Sequence, residues 1–191
     1  MTSNYYAKGL DAMKQGDFVA AGDFYTQSSY SRLSHNAIRD DNDRQVGGGL
    51  HSLLRAAINY RRGDHMERCR NRCEQGLLIS RDLEQNVISD SKRLAVLQEF
   101  IADFHAVGGI DGMDEAYQEA LKRLDDADLE YTISFHSSNL SDNIISFTLF
   151  LFQWAEENVE EHLETQYDFA GRVEYKRTHM DEILYYLESD S

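Results

Sequence analysis

Three residues in the middle of the chain have the types and the spacing to hold a metal: His65, Cys69 and Cys73 stand at i, i+4 and i+8. On a helix they share one face. Donors of this kind suit zinc, with a fourth ligand from elsewhere. Three ligands spread along two turns rarely meet a tetrahedral ion, however, and two thiols at helical spacing are also the small apolar residues of a packed helix. The core reading is the simpler one, and no metal or other cofactor is assigned. A di-iron carboxylate site needs Glu-x-x-His on facing helices, and none of the seven histidines has a glutamate three residues before it. The run Asp40-Asp41-Asn42-Asp43 lacks the glycine and closing glutamate of a calcium loop. Neither a Gly-x-Ser-x-Gly elbow nor a glycine-rich phosphate loop or dinucleotide fingerprint occurs. The sequence offers no catalytic constellation, so the expectation is a protein that is not an enzyme.

A different chemistry is offered by Arg61, Arg62, Arg68, Arg70 and Arg72, which crowd together in an otherwise anionic chain. Arg68 and Arg72 lie one helical turn apart, and their planar forks could clamp a carboxylate or a phosphorylated side chain. The alternative is that the cluster neutralises Glu67, Glu74 and the acidic face of a neighbouring helix, as exposed ion pairs commonly do.

The elements that position these residues must form in a strongly acidic background. The 191 residues carry 34 acidic and 19 basic side chains, a formal charge of −15. A field of that sign repels phosphate backbones, so nucleic acid is not an expected partner. No signal-peptide pattern opens the chain, and the longest apolar stretch, Ile144 to Trp154, is too short to span a bilayer. The expectation is a soluble, cytoplasmic protein with its two cysteines reduced and no membrane partner. Aspartate outnumbers glutamate and lysine is scarce, a composition that resembles proteins of salt-loving archaea, whose cytosol screens self-repulsion to within roughly 3 Å at 1 M salt.

Proline is absent, which removes the strongest helix breaker and leaves glycine to punctuate. Apolar and small residues recur at three and four spacings through Tyr5, Gly9, Ala12 and Met13, break at Gly16-Asp17, and resume through Phe18, Ala21, Phe24, Tyr25 and Ser28. The same helix, turn, helix pattern reappears around Gly63-Asp64 and around Gly108 to Gly112. It predicts hairpins at about 4–29, 50–79 and 94–123. Between them, Ser34 to Gly49, with its Gly47-Gly48-Gly49, predicts a flexible loop, and Arg81 to Lys92 a short helix or a helical extension. The conformation of 124–141 is left open. Phe147 to Tyr167 contains no glycine turn, which predicts one long helix at about 142–169, then Gly171 and a last helix at 172–187.

The first hairpin resembles the tetratricopeptide repeat. Tyr5 stands at that family's first aromatic position, Gly9 and Ala21 at its two small positions, Tyr25 at its second aromatic position, and Gln15 to Phe18 at its turn. Lys8 and Ala12 depart from the pattern, and the closing proline is missing. Ala12 to Ala21, Tyr60 to Cys69 and Val107 to Ala116 are each nine residues apart. The resemblance implies an all-α, right-handed α-hairpin solenoid of about three repeats, in one helical-repeat unit over 1–191, capped by a long acidic C-terminal helix pair. It further implies a groove lined by the first helix of each hairpin, which receives a peptide or helix of another protein. Tyr5, Tyr60 and Phe104 line that groove in this reading, and Arg61, Arg62, Arg68 and Arg72 make the basic patch that draws an acidic or phosphorylated segment. The alternatives are a homo-oligomeric structural subunit, such as a homodimer in which Phe147, Phe150, Leu151 and Trp154 face a second copy, and a metal-dependent α-helical sensor or enzyme that uses the His65 stripe. If the aspartate excess reflects a saline environment, thermal melting in molar potassium chloride should occur at higher temperature than in dilute buffer, since screening relieves like-charge repulsion. An equal or lower melting temperature would count against it.

Overall fold

A computed structural model describes residues 4–34, 43–126, 139–155 and 169–189, and among these every regular element is an α-helix. In chain order they are α1 (Tyr5–Lys14), α2 (Phe18–Leu33), α3 (Asp43–Arg62), α4 (Met66–Asn86), α5 (Ser91–Gly108), α6 (Met113–Asp126), α7 (Asn139–Ala155) and α8 (Phe169–Ser189). No helix among the described residues is long and apolar enough to cross a membrane.

Local chemistry sets the starts and stops. Asn4, Asp17 and Asp90 stand just before α1, α2 and α5, and the side chain of each accepts a first-turn N–H, from Ala7, Ala20 and Arg93 at 3.1, 3.0 and 2.9 Å. These caps satisfy donors that a helix leaves orphaned at its N-terminus. Helix α5 stops because Gly109 adopts φ 57°, which lets the Ile110 N–H turn back to the His105 carbonyl at 2.9 Å.

Each helix from α1 to α5 packs against the next in sequence. The closest approaches occur where a glycine meets an aromatic ring. A Cβ on Gly22 of α2 would stand 2.6 Å from the Tyr60 ring of α3, and one on Gly76 of α4 would stand closer still to the Phe104 ring of α5. Gly9 of α1 and Tyr25 of α2 make a looser version at 3.1 Å. Around these contacts Ala12, Ala21, Ala57, Cys69, Cys73, Ala116 and Ala120 are all buried, so small side chains bring the axes together while the rings fill the space between layers.

Several expectations change. The triple glycine does not make a flexible loop: Gly47 to Gly49 lie inside α3 and are buried. Their bare backbone is where the end of α2 rests, with Arg32 against Gly48 and Leu33 against Gly49. Glycine costs a helix only about 1 kcal/mol relative to alanine, and the contact it permits here offsets that. Residues 35–42, with Asp40 to Asn42, lie outside the described residues. The stretch at 81–92 divides: α4 continues through Asn86, and α5 begins at Ser91. Of the open stretch at 124–141, the two ends belong to α6 and α7.

The C-terminal helices differ most. Gly171 is not a break, because Phe169 and Gly171 both belong to α8. The proposed continuity from 142 to 169 falls on 156–168, outside the described residues, as do the glutamates from Glu156 to Glu164 assigned to an acidic cap. Nor do these helices merely close the end of a stack: α7 lies across α3 and α5, and α8 lies across α5 and α6 beside α7. Ile144, Phe147, Phe150 and Leu151 are buried in that seat. Phe147, Phe150 and Leu151 are therefore spent inside the chain and present no face to a second copy; the Trp154 side chain lies outside the described residues.

Gly76→Ala tests the close approach. Helix propensity alone would favour alanine by about 1 kcal/mol, whereas the overlap with Phe104 should cost on the order of 1 to 3 kcal/mol. We expect net destabilisation, read as a lower urea midpoint with an unchanged slope. A gain in stability would show that α4 and α5 are less tightly apposed.

Candidate functional site

The structure distributes the predicted partner-binding residues between two environments. Tyr60 and Phe104 are buried between layers, against Gly22 and Gly76, and are not available to a ligand. Tyr5 is half-buried, with Lys8 Nζ 5.8 Å from its ring. Arg62 is also buried, its guanidinium 4.1 Å from the Phe18 ring centre. Arg61 reaches across the fold: its Nη1 donates to the Val107 carbonyl at 2.9 Å and its Nε to Glu188 at 2.5 Å, which ties α3 to α5 and to the end of α8. These two arginines serve the fold, and burial is the reason sequence spacing could not separate them from their neighbours.

Arg68 and Arg72 remain on the surface, on a stripe of α4 that faces α2. Arg68 lies 5.3 Å from the Tyr60 ring centre, and its Nη1 meets Asp23 at 3.3 Å, an oxygen that also accepts the Tyr60 hydroxyl at 2.7 Å. Arg72 lies 6.0 Å from the Tyr30 ring centre; its Nη1 donates to the Tyr30 hydroxyl and, at 3.1 Å, to Gln75. Each guanidinium thus spends Nη1 on its neighbours and is oriented by a tyrosine ring. The Nε and Nη2 edges of both find no acceptor among the described residues. Arg70 points elsewhere, to Glu74 at 3.6 Å.

The metal stripe does not converge. His65 is exposed immediately before α4, while Cys69 and Cys73 are fully buried free thiols, and the Cys69 thiol donates to the Val107 carbonyl at 3.3 Å. Burial, with Cys69 beside it, pushes the Cys73 thiol well above its usual range, so it stays protonated and unreactive.

A second arrangement escaped the sequence reading. Glu99 and Asp103 on α5 and Arg172 and Lys176 on α8 form a wholly buried network. Arg172 grips Glu99 through Nε and Nη2, both at 2.8 Å; Lys176 meets Glu99 at 2.8 Å and Asp103 at 2.7 Å; the Tyr117 hydroxyl of α6 donates to Asp103 at 2.6 Å. Burial opposes the charge on Glu99, but Arg172 and Lys176 together outweigh it and hold the carboxyl at about 2. At Asp103 burial wins over the pull of Lys176, and Glu99 adds its repulsion, so that carboxyl is pushed up to about 6. The signal in the sequence is two pairs at i, i+4 of opposite sign, each inside a helix. No local rule says that they meet.

Comparisons with protein-family models, with curated proteins and with solved structures found no match.

Removing one carboxylate from this network should be costly. Glu99→Gln leaves two buried cations under-compensated and should destabilise the fold by about 3 to 5 kcal/mol at pH 7 in urea unfolding. The pH dependence has a definite sign. The folded pKa of Glu99 lies below its unfolded value, so its contribution is present above about 4.5 and is lost as pH falls toward about 2. The gap between wild type and variant should therefore narrow over that interval. A gap independent of pH would mean that Glu99 is not ionised in the native state.

Proposed function

We propose that this chain is a helical-hairpin scaffold of tetratricopeptide type which holds another protein, and that the partner presents a carboxylate or phosphate to Arg68 and Arg72. The pairs α1–α2, α3–α4 and α5–α6 correspond to the three hairpins of a right-handed stack. The recurring contact of a glycine in one pair with an aromatic residue in the next, Gly22 with Tyr60 and Gly76 with Phe104, supports that reading. In the family the first helices line a groove for the partner. Here α3 and α5 carry the chain's own α7, so the partner is received on the outer stripe of α2 and α4.

The observation that carries the proposal is the pair of open guanidinium edges one helical turn apart, each held by a tyrosine ring. A partner's anion would take the free N–H groups in the fork geometry that arginine favours. The bond between Arg68 and Asp23 is half exposed on both sides and contributes only about 0 to 1 kcal/mol to stability. It yields readily to a better-placed ligand.

The test substitutes a photo-crosslinking residue at Gln75, which borders the stripe, and compares the wild-type background with Arg68→Ala plus Arg72→Ala. A charged hydrogen bond lost at each arginine should cost about 1.5 to 3 kcal/mol of binding, while the melting temperature falls by no more than a few degrees. Crosslinked partners should then disappear from the double variant. An unchanged set of crosslinks, or a collapse in melting temperature, would make both arginines structural.

A further inference from the structure

Arg172 and Lys176 show how this fold treats a buried cation: Arg172 is paired with Glu99, and Lys176 with Glu99 and Asp103. Arg55 of α3 is treated differently. It is buried, with 9 % of its surface exposed, and no carboxylate among the described residues pairs with it. Its Nε donates to His51 Nε2 at 2.9 Å and its Nη1 to the Tyr25 hydroxyl at 3.3 Å. Aromatic rings from three helices surround the guanidinium, with centres at 4.2 Å for Phe150 of α7, 5.3 Å for Tyr6 of α1 and 5.7 Å for Tyr25 of α2. The remaining nitrogen, Nη2, finds no acceptor among the described residues.

A second cation stands beside this one. Arg32, in the last turn of α2, rests on the bare backbone of Gly48, one turn before His51 on the same face of α3, and it too has no carboxylate partner among the described residues. Between the two arginines, His51 is neutral. Its Nε2 accepts from Arg55, which places its proton on Nδ1, and burial together with the charges of Arg55 and Arg32 pushes the imidazole well below its usual range. In a chain of net charge −15, the junction of α2, α3 and α7 is thus locally positive. Aromatic faces and neutral acceptors offset part of the desolvation cost of a guanidinium but provide no counter-charge.

We propose that Arg55 and Arg32 form a binding site for a small oxyanion, a phosphate or a carboxylate, at the junction of α2, α3 and α7. The anion supplies the missing charge, accepts from Arg55 Nη2 and from Arg32, and leaves His51 neutral as the acceptor that orients Arg55. The site is separate from the outer stripe on α4 and does not depend on the identity of any protein partner.

Titration calorimetry of the full chain with inorganic phosphate, and in a second arm with succinate, tests this at pH 7 and at ionic strength matched with potassium chloride, so that general screening cancels. Saturable binding is expected from at least one anion, with a shift of the His51 ring nitrogens in NMR spectra at the same concentrations. Arg55→Lys and Arg32→Gln should each weaken that binding tenfold or more, while Arg70→Ala, which removes an exposed arginine paired with Glu74, leaves it unchanged. Should Arg55→Lys fail to fold, the half-buried Arg32→Gln decides the matter alone. Absence of saturable binding by both anions overturns the proposal. So does binding that persists in Arg32→Gln, that vanishes in Arg70→Ala, or that leaves the His51 resonances unmoved.

Discussion

Four charges buried between α5 and α8 set the arrangement of the C-terminal half. Taking an ion out of water costs several kcal/mol, and only well-placed partners recover it. Glu99 and Asp103 are separated by one turn, as are Arg172 and Lys176, so the two helices fit in one register: sliding α8 by a turn would leave a carboxylate and a cation unpaired. The rings of Phe169 and Phe147 lie 5.2 and 6.0 Å from Arg172 and Lys176. Through Phe147 the placement of α8 is coupled to α7, and through α7 to α3, where Phe147 meets His51 and Phe150 meets Arg55. Such a network adds little net stability over an apolar core. Its effect is to penalise every alternative docking of α8.

The N-terminal half is held by a different kind of contact. From α1 to α5 the layers meet chiefly through glycines and alanines under aromatic rings, where dispersion and apolar burial act at short range. These contacts are numerous and individually replaceable, but they tolerate little added volume. The chain therefore combines a close-packed set of layers with an electrostatically keyed pair of helices laid over α3 and α5. The chain's own α7 covers faces of α3 and α5.

This division allocates the basic residues as well. Arg61, Arg172 and Lys176 hold helices together; Arg68 and Arg72 are oriented outward by tyrosines; Arg55 is enclosed by rings with an edge still open. All belong to one residue class in the sequence, where clustering at 61–72 drew attention to a surface and isolation at 55 and 172 concealed two sites. What separates them is which helix stands opposite, and that is decided by packing.

Helix identity and the turns inside the first three hairpins were legible in the residues alone, because they depend on contacts three or four residues apart. The period of Tyr5, Gly9, Ala12 and Met13 and the turns at Gly16, Gly63 and Gly108 to Gly112 each carry their own cause. Gly47 to Gly49 were misread because a glycine run has two meanings, a loose backbone or a backbone that must be approached closely, and only the presence of Arg32 and Leu33 above it selects the second. Likewise Glu99 and Arg172 are 73 residues apart, and no local preference records that they pair. The amino-acid sequence by itself determined that the described residues are helical and where the turns at Gly16, Gly63 and Gly108 to Gly112 fall. The tertiary structure decided which faces are hidden and which charges are matched, because burial and ion pairing depend on distances that are set only once all the helices have docked.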